Sequence, residues 1–192
     1  MTEAHVLILP GRGNSGPDHW QTHWEAADPR LQRVLQAEWT TPHREDWVRT
    51  LADVLAQRQT PAILVAHSLA VSLVNYVVAA WPQLYPGRAL PVRGALLVGP
   101  SDVEAADYPP GPIGFSPVLL NPLPFPSIVV ASTNDPRVTL ERATQFAQAW
   151  GARLEIAGDL DHMGSDSKLG DWPQAKQWLD ALLTIENVSA SR

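Results

Sequence analysis

Apolar and polar residues alternate along this chain on two length scales. Short aliphatic runs of strand length are separated by segments whose apolar residues recur at helical spacing. His5-Val6-Leu7-Ile8-Leu9 reads as a buried strand running into Pro10-Gly11-Arg12-Gly13-Asn14-Ser15-Gly16-Pro17, a loop by composition. A helix is predicted through Trp20, Trp24 and Ala27, with Asp18 as its candidate cap and Asp28-Pro29 as its end. A second strand is expected over Val34-Leu35-Gln36-Ala37-Glu38. After a polar, proline-broken connection from Trp39 to Arg44, a helix should run from Glu45 to near Gln59 with Trp47, Val48, Leu51, Val54 and Leu55 on its inner face. Pro61-Ala62-Ile63-Leu64-Val65-Ala66 is the third strand. It breaks at Ser68 before a helical pattern resumes through Val71, Val74, Val77 and Val78, and Trp81-Pro82 should stop that helix. Gly94 to Val98, Ser127 to Ser132 and Leu154-Glu155-Ile156 read as three more strands. Helices from Val138 to Trp150, closed by Gly151, and around Trp172, Ala175, Trp178, Leu179 and Leu182 complete the pattern.

Strands alternating with helices predict an α/β fold: a mostly parallel six-stranded sheet with helices on both faces. If the strand order is 2-1-3-4-5-6, the ligand crevice lies between the loops after strands one and three, where that order reverses. The 192 residues, 45% of them hydrophobic, suit one domain over residues 1–186 followed by a polar tail, 187–192. The segment from Val103 to Pro126 is rich in proline and glycine without sustained period, and is the candidate rim facing a substrate.

Charge and composition narrow the function. A net charge of -6 without a cluster of Lys or Arg argues against a nucleic-acid partner and favours a small-molecule acyl substrate or a small neutral one. The absence of cysteine excludes a disulfide framework, a thiolate metal site and a cysteine nucleophile. Val6 to Leu9 is too short for a signal-peptide core, and no stretch approaches the roughly twenty apolar residues of a membrane span. A cytoplasmic protein without a membrane partner is expected; the sequence identifies no protein partner.

The chemistry gathers at predicted strand ends. Ser68 sits between a strand and a helix, where a nucleophile elbow would hold it, with Ala66 and Ala70 at the positions usually taken by glycine. Asp135 and His162 follow two other strands, so one sheet edge would carry all three. A serine hydroxyl needs a base, and the resulting imidazolium needs a carboxylate. The order Ser, Asp, His is that of α/β-hydrolases. Asp135 is the favoured acid, with Asp102, Asp159 and Asp161 competing. His67 reads as structural. The backbone N–H groups of Arg12 and Leu69 are the candidate oxyanion donors. Two other patterns are present by letter. Gly11-Arg12-Gly13-Asn14-Ser15-Gly16, with Glu38 as the ribose acid, matches a dinucleotide fingerprint, but Pro17 and Asp18 sit where a pyrophosphate would rest. His19 and His23 are spaced as metal ligands without an evident third. No cofactor and no metal are therefore expected. Most of the eight tryptophans read as core, while Trp39 and Trp47 are candidates to line a pocket.

With these residues in place, the chain resembles the small serine hydrolases related to retinoblastoma-binding protein 9, in the α/β-hydrolase superfamily. The resemblance rests on Pro10-Gly11 followed by His19-Trp20, Glu38-Trp39 with Pro42 and Asp46-Trp47, Ala66-His67-Ser68-Leu69-Ala70, Asn134-Asp135-Pro136, and Asp161-His162. It implies a minimal α/β-hydrolase fold without a cap domain, and an enzyme cleaving small esters, with amides as a secondary choice, through Ser68, Asp135 and His162. The competing expectation is an interaction protein of weak activity built on the same scaffold.

Overall fold

In the computed structural model, which describes residues 6–185, six strands pair in parallel throughout. They are Val6–Leu9 (β1), Leu31–Arg33 (β2), Ala62–His67 (β3), Val92–Val98 (β4), Ser127–Ala131 (β5) and Arg153–Ile156 (β6), in the order β2-β1-β3-β4-β5-β6. Five α-helices connect or follow them: Trp20–Ala27 (α1), Arg44–Ala56 (α2), Leu69–Leu84 (α3), Leu140–Trp150 (α4) and Pro173–Leu183 (α5). The predicted α/β class is observed, and the strand order is the one that places the reversal between β1 and β3.

Side chains alternate across a strand, so each inner strand feeds two cores. Leu7, Leu9, Leu64, Ala66, Leu97 and Val129 pack with Trp47 and Leu51 of α2, Val71 and Val74 of α3, and Phe146 of α4. Val6, Ile8, Ile63, Val65, Leu96 and Val130 pack on the other face with Trp20 and Trp24 of α1 and Ala175 and Leu179 of α5. Burial on both faces is why β1, β3 and β5 read as unbroken apolar runs. Among the described residues, no helix is long and apolar enough to cross a membrane.

Several boundaries differ from those predicted. The second strand is Leu31–Arg33, not Val34 to Glu38, because a parallel strand pairs only as far as its neighbour extends. Val6, Leu7 and Ile8 of β1 face Leu31, Gln32 and Arg33, and beyond Leu9 the chain turns away at Pro10. Val34 and Gln36 are nevertheless buried and Leu35 is exposed, an alternation that mimics a strand. The helix after Ser68 continues through Pro82 to Leu84, since near a helix end proline forfeits a single ladder bond, and the Tyr85 amide still reaches the Trp81 carbonyl at 2.8 Å. Trp172 precedes its helix as the cap residue. The polar tail expected over 187–192 lies outside the described residues.

α1 is capped by His19 rather than Asp18. The His19 Nδ1 accepts the Gln21 amide at 3.1 Å, which leaves the proton on Nε2. His19 is buried and its ring lies 4.8 Å from that of His67, also buried, at the end of β3. Burial, reinforced by Arg33, pushes the His19 pKa down to about 4, and burial holds His67 well below the usual imidazole range. Both therefore fold as neutral rings. A histidine whose folded pKa is depressed contributes its full stability above the unfolded value near 6.5 and loses it as pH falls towards the folded value. For His19 the loss between pH 6.5 and 4 is on the order of 3 kcal/mol. Urea unfolding of wild type against His19→Asn, which keeps a capping side chain, should give a shallower pH dependence in the variant over that range. Parallel curves would show that His19 is not the titrating group.

Candidate active site

The carboxyl ends of β1, β3, β4 and β5 deliver a set of loops to one edge of the sheet. β3 ends at His67, and Ser68 follows with φ 59 and ψ -123, a strained conformation for a residue with a side chain. The strain is confined to Ser68: Ala66 and Ala70 are fully buried and neither has a positive φ. Only small size is required at those two positions, so alanine serves as well as glycine for the backbone. Gly11 shows the close approach that does demand glycine. A Cβ there would lie 2.8 Å from both the His67 carbonyl oxygen and the Ser68 Cβ, so the loop after β1 presses directly on the turn at Ser68.

Ser68, His162 and Asp135 meet. The His162 Nδ1 lies 2.9 Å from each Asp135 carboxylate oxygen and its Nε2 lies 2.7 Å from the Ser68 Oγ. A carboxylate only accepts, so Nδ1–H donates to Asp135 and Nε2 is left to accept the serine proton. The Asp135 side chain is fully buried and also accepts the Arg137 amide at 2.7 Å. Its competitors are engaged elsewhere: Asp102 pairs with Arg142 at 3.3 Å, Asp159 bonds Thr133, and Asp161 accepts from Asn134 at 3.0 Å.

The loop carrying His162 is held by residues whose part sequence reasoning did not identify. Asp161 and Met163, on either side of the histidine, both adopt positive φ, a conformation that tertiary bonds must maintain. The His67 Nε2–H donates to the His162 carbonyl at 2.9 Å, and the Trp20 indole donates to the Met163 carbonyl at 2.8 Å. Asn134 joins the acid loop to the histidine loop, accepting the Asp161 amide at 2.8 Å and donating to its carboxylate. Gln21, fully buried, donates to the Leu9 and Val65 carbonyls at 3.2 and 3.1 Å and so ties α1 to β1 and β3. The adjacent pair His19-Trp20 was the available signal, since both are polar-tipped residues inside a helical pattern.

Ser101, after β4, was also missed. It is buried and its Oγ lies 2.9 Å from the Ser68 Oγ. Because the Ser68 proton is committed to His162, Ser101 is the donor of this pair. Tyr108 stands beside Ser101. Burial pushes its phenol pKa up, against the opposing pull of the Ser101 hydroxyl and of the Arg12 and Arg137 guanidiniums. Arg12, Ser68, Ser101, Tyr108, Pro109, Arg137 and His162 line a cleft of about 200 Å3. Among the described residues, no acceptor is bonded to the amide of Arg12 or to that of Leu69, the first residue of α3. The segment from Val103 to Pro126 divides: Tyr108 and Pro109 form part of the cleft, whereas Phe115, Val118 and Phe125 are buried in the core.

Three other candidates take different places. Glu38 lies beyond β2 and its carboxylate accepts the amides of Thr40 and Thr41 in its own turn, so it does not occupy the strand end that a ribose-binding acid requires. His19 and His23 belong to no potential metal site, since the described residues contain no group of three or more suitably placed ligands. Trp47 is core and Trp39 packs against it at 5.6 Å; neither lines the cleft. A larger hollow of about 450 Å3, between α1 and α5, opens at the amino ends of the strands, away from Ser68. Substituting Gly11→Ala should cost about 1–3 kcal/mol by overpacking against His67 and Ser68. A urea midpoint unchanged from wild type would show that this contact is loose.

Comparisons with known proteins agree with this geometry. A YdeN-like hydrolase from Pectobacterium atrosepticum is 27% identical over 94% of this chain and 90% of its own, with a TM-score of 0.80. The ydeN gene product of B. subtilis is 20% identical over 95% of this chain and 100% of its own (TM-score 0.70). An esterase domain from a Rhodothermus marinus protein is 18% identical over 92% and 87% (TM-score 0.61), a likeness of fold. No curated protein sequence matches the chain. Residues 6–181 match the family described as "Serine hydrolase", and since that is nearly the whole chain, it belongs to this serine hydrolase family on an α/β-hydrolase fold.

Proposed function

We propose that this hydrolase cleaves small acyl esters, and amides more slowly, through an acyl-enzyme on Ser68. The observation that carries the proposal is the imidazole of His162 held between the Asp135 carboxylate at 2.9 Å and the Ser68 hydroxyl at 2.7 Å. Both distances lie within proton-transfer reach. As the Ser68 Oγ attacks the ester carbonyl, its proton passes to His162 Nε2, and the buried Asp135 stabilises the imidazolium. The carbonyl oxygen becomes an oxyanion, for which the unpartnered Arg12 and Leu69 amides are the available backbone donors. Collapse of the tetrahedral intermediate breaks the bond to the alcohol, which leaves with the proton returned by His162. Water then adds to the acyl-enzyme, giving its proton to the same nitrogen, and the carboxylic acid departs as Ser68 recovers its hydroxyl proton.

Ser101 has a supporting role in this scheme. Its hydroxyl donates to the Ser68 Oγ at 2.9 Å, which occupies a lone pair of the nucleophile and restrains its rotamer.

Wild type should be labelled by a fluorophosphonate probe at Ser68 and should hydrolyse 4-nitrophenyl butyrate. Ser68→Ala should lose the label and about 10³-fold or more of kcat. Equal labelling of both proteins, or of neither, would overturn the proposal. Ser101→Ala should lower kcat on the same ester about two- to tenfold with little change in KM, the size expected for one neutral hydrogen bond. An unchanged kcat would remove Ser101 from the scheme.

A further inference from the structure

The cleft at Ser68 has a charge that the rest of the molecule does not. The chain carries 20 acidic against 14 basic residues, yet the cleft is lined by two arginines and by no carboxylate. Asp135, beneath it, is fully buried and committed to His162. Elsewhere Arg30, Arg33, Arg44, Arg142 and Arg153 each meet a carboxylate, Arg33 with Glu25 at 2.9 Å and Arg142 with Glu104 at 2.8 Å for example, while Arg88 and Arg93 donate to carbonyls, away from the cleft.

Arg12 and Arg137 are different. The only side-chain bond of Arg12 runs from its Nε to the Thr40 carbonyl at 2.8 Å, which anchors the guanidinium and leaves both terminal nitrogens without a partner among the described residues. The guanidinium packs against the backbone of Gly111, at the edge of the segment that supplies Tyr108 and Pro109. Arg137 is tethered only through its backbone, by its amide to Asp135 and by its carbonyl to the Asp102 amide at 3.0 Å. Its side chain forms no hydrogen bond or ion pair among the described residues. Asp102 and Asp107 line a separate hollow on its far side without closing to ion-pair distance. Tyr108, the residue between them in the cleft, feels both cations.

Two guanidiniums at the mouth of a reacting centre, that of Arg12 anchored and that of Arg137 unpaired among the described residues, each with free planar donors, match a carboxylate or phosphate oxygen pair better than any neutral group. They would also raise the local concentration of an anionic substrate around a protein that otherwise repels it. A cleft of about 200 Å3 admits only a small molecule, so that anion and the ester must lie close together.

We propose that the ester cleaved at Ser68 carries an anionic group, a carboxylate or a phosphate, bound by Arg12 and Arg137. The inference rests on the hydrolase chemistry of Ser68 and specifies its substrate class.

The test compares activated esters of matched size. The 4-nitrophenyl monoester of glutaric acid, with a terminal carboxylate on the acyl side, is paired with 4-nitrophenyl pentanoate. 3-Acetoxybenzoate, with the carboxylate on the leaving group, is paired with phenyl acetate. In at least one pair wild type should favour the anion by about tenfold or more in kcat/KM, as expected for a charge-assisted contact, and the favoured pair identifies the side on which the anion sits. The preference should weaken in 0.5 M salt. Arg12→Gln and Arg137→Gln should each reduce the anionic-to-neutral ratio whatever they do to the neutral ester, Arg137→Lys should retain most of it, and Arg137→Glu should reverse it. An anionic ester cleaved no faster than its neutral partner in either pair overturns the inference. Labelling of Ser68 by a neutral fluorophosphonate shows which idea has failed: with the label present the hydrolase reading survives, and without it that reading falls too.

Discussion

Two buried ring N–H groups hold the carbonyls of consecutive residues, His67 on His162 and Trp20 on Met163, and the position of the His162 imidazole depends on them. The residues on either side of that histidine stand at positive φ, a conformation the local sequence does not favour. A loop so strained would relax if its carbonyls were free to find water. Satisfied inside the protein by rings that have no other place to go, they lock the loop against the end of β3 and the start of α1. Burial keeps His67 neutral and its ring N–H available as a donor, so the brace does not rest on a charged imidazole.

The same economy of parts runs through the site. β3 supplies both the brace at His67 and the nucleophile position at Ser68, one residue apart and facing different ways because the chain turns sharply between them. The loop after β1 supplies Gly11, which must be bare to let the turn at Ser68 approach, and Arg12, whose amide and side chain reach the cleft from that one close contact. The loop after β5 supplies Asp135 for the imidazole, Asn134 to clasp the histidine loop, and Arg137 at the rim. Each loop thus carries a polar group of the cleft and a contact that positions it. The cleft can then be built without any additional domain.

Much of this was readable from the chain. Ser68, Asp135 and His162 could be grouped because a parallel sheet carries every strand's following loop to the same edge, so position after a strand is enough to predict a meeting. The inner strands were legible because burial on both faces leaves continuous apolar runs. The second strand was misplaced because the ladder with β1 ends with the Val34 amide on the Ile8 carbonyl while burial goes on alternating through Gln36, and alternation in burial cannot distinguish an edge strand from an extended segment lying against the core. That the unusual backbone angles at this turn fall on Ser68, and not on Ala66 or Ala70, is a fact of local geometry that residue size does not reveal.

By itself the sequence determined the class of fold, the number of strands and which three polar residues share an edge, since these follow from periodicity and from the rules of parallel connection; the order of the strands came from the structure. Tertiary structure alone decided that Asp135, already favoured, and none of its three competitors reaches the imidazole, that Ser101 adjoins Ser68, and that two arginines distant in the chain face one cleft. Those outcomes depend on a few ångströms of separation between side chains on different loops. Such separations are set by close packing of the whole core, and no local pattern encodes them.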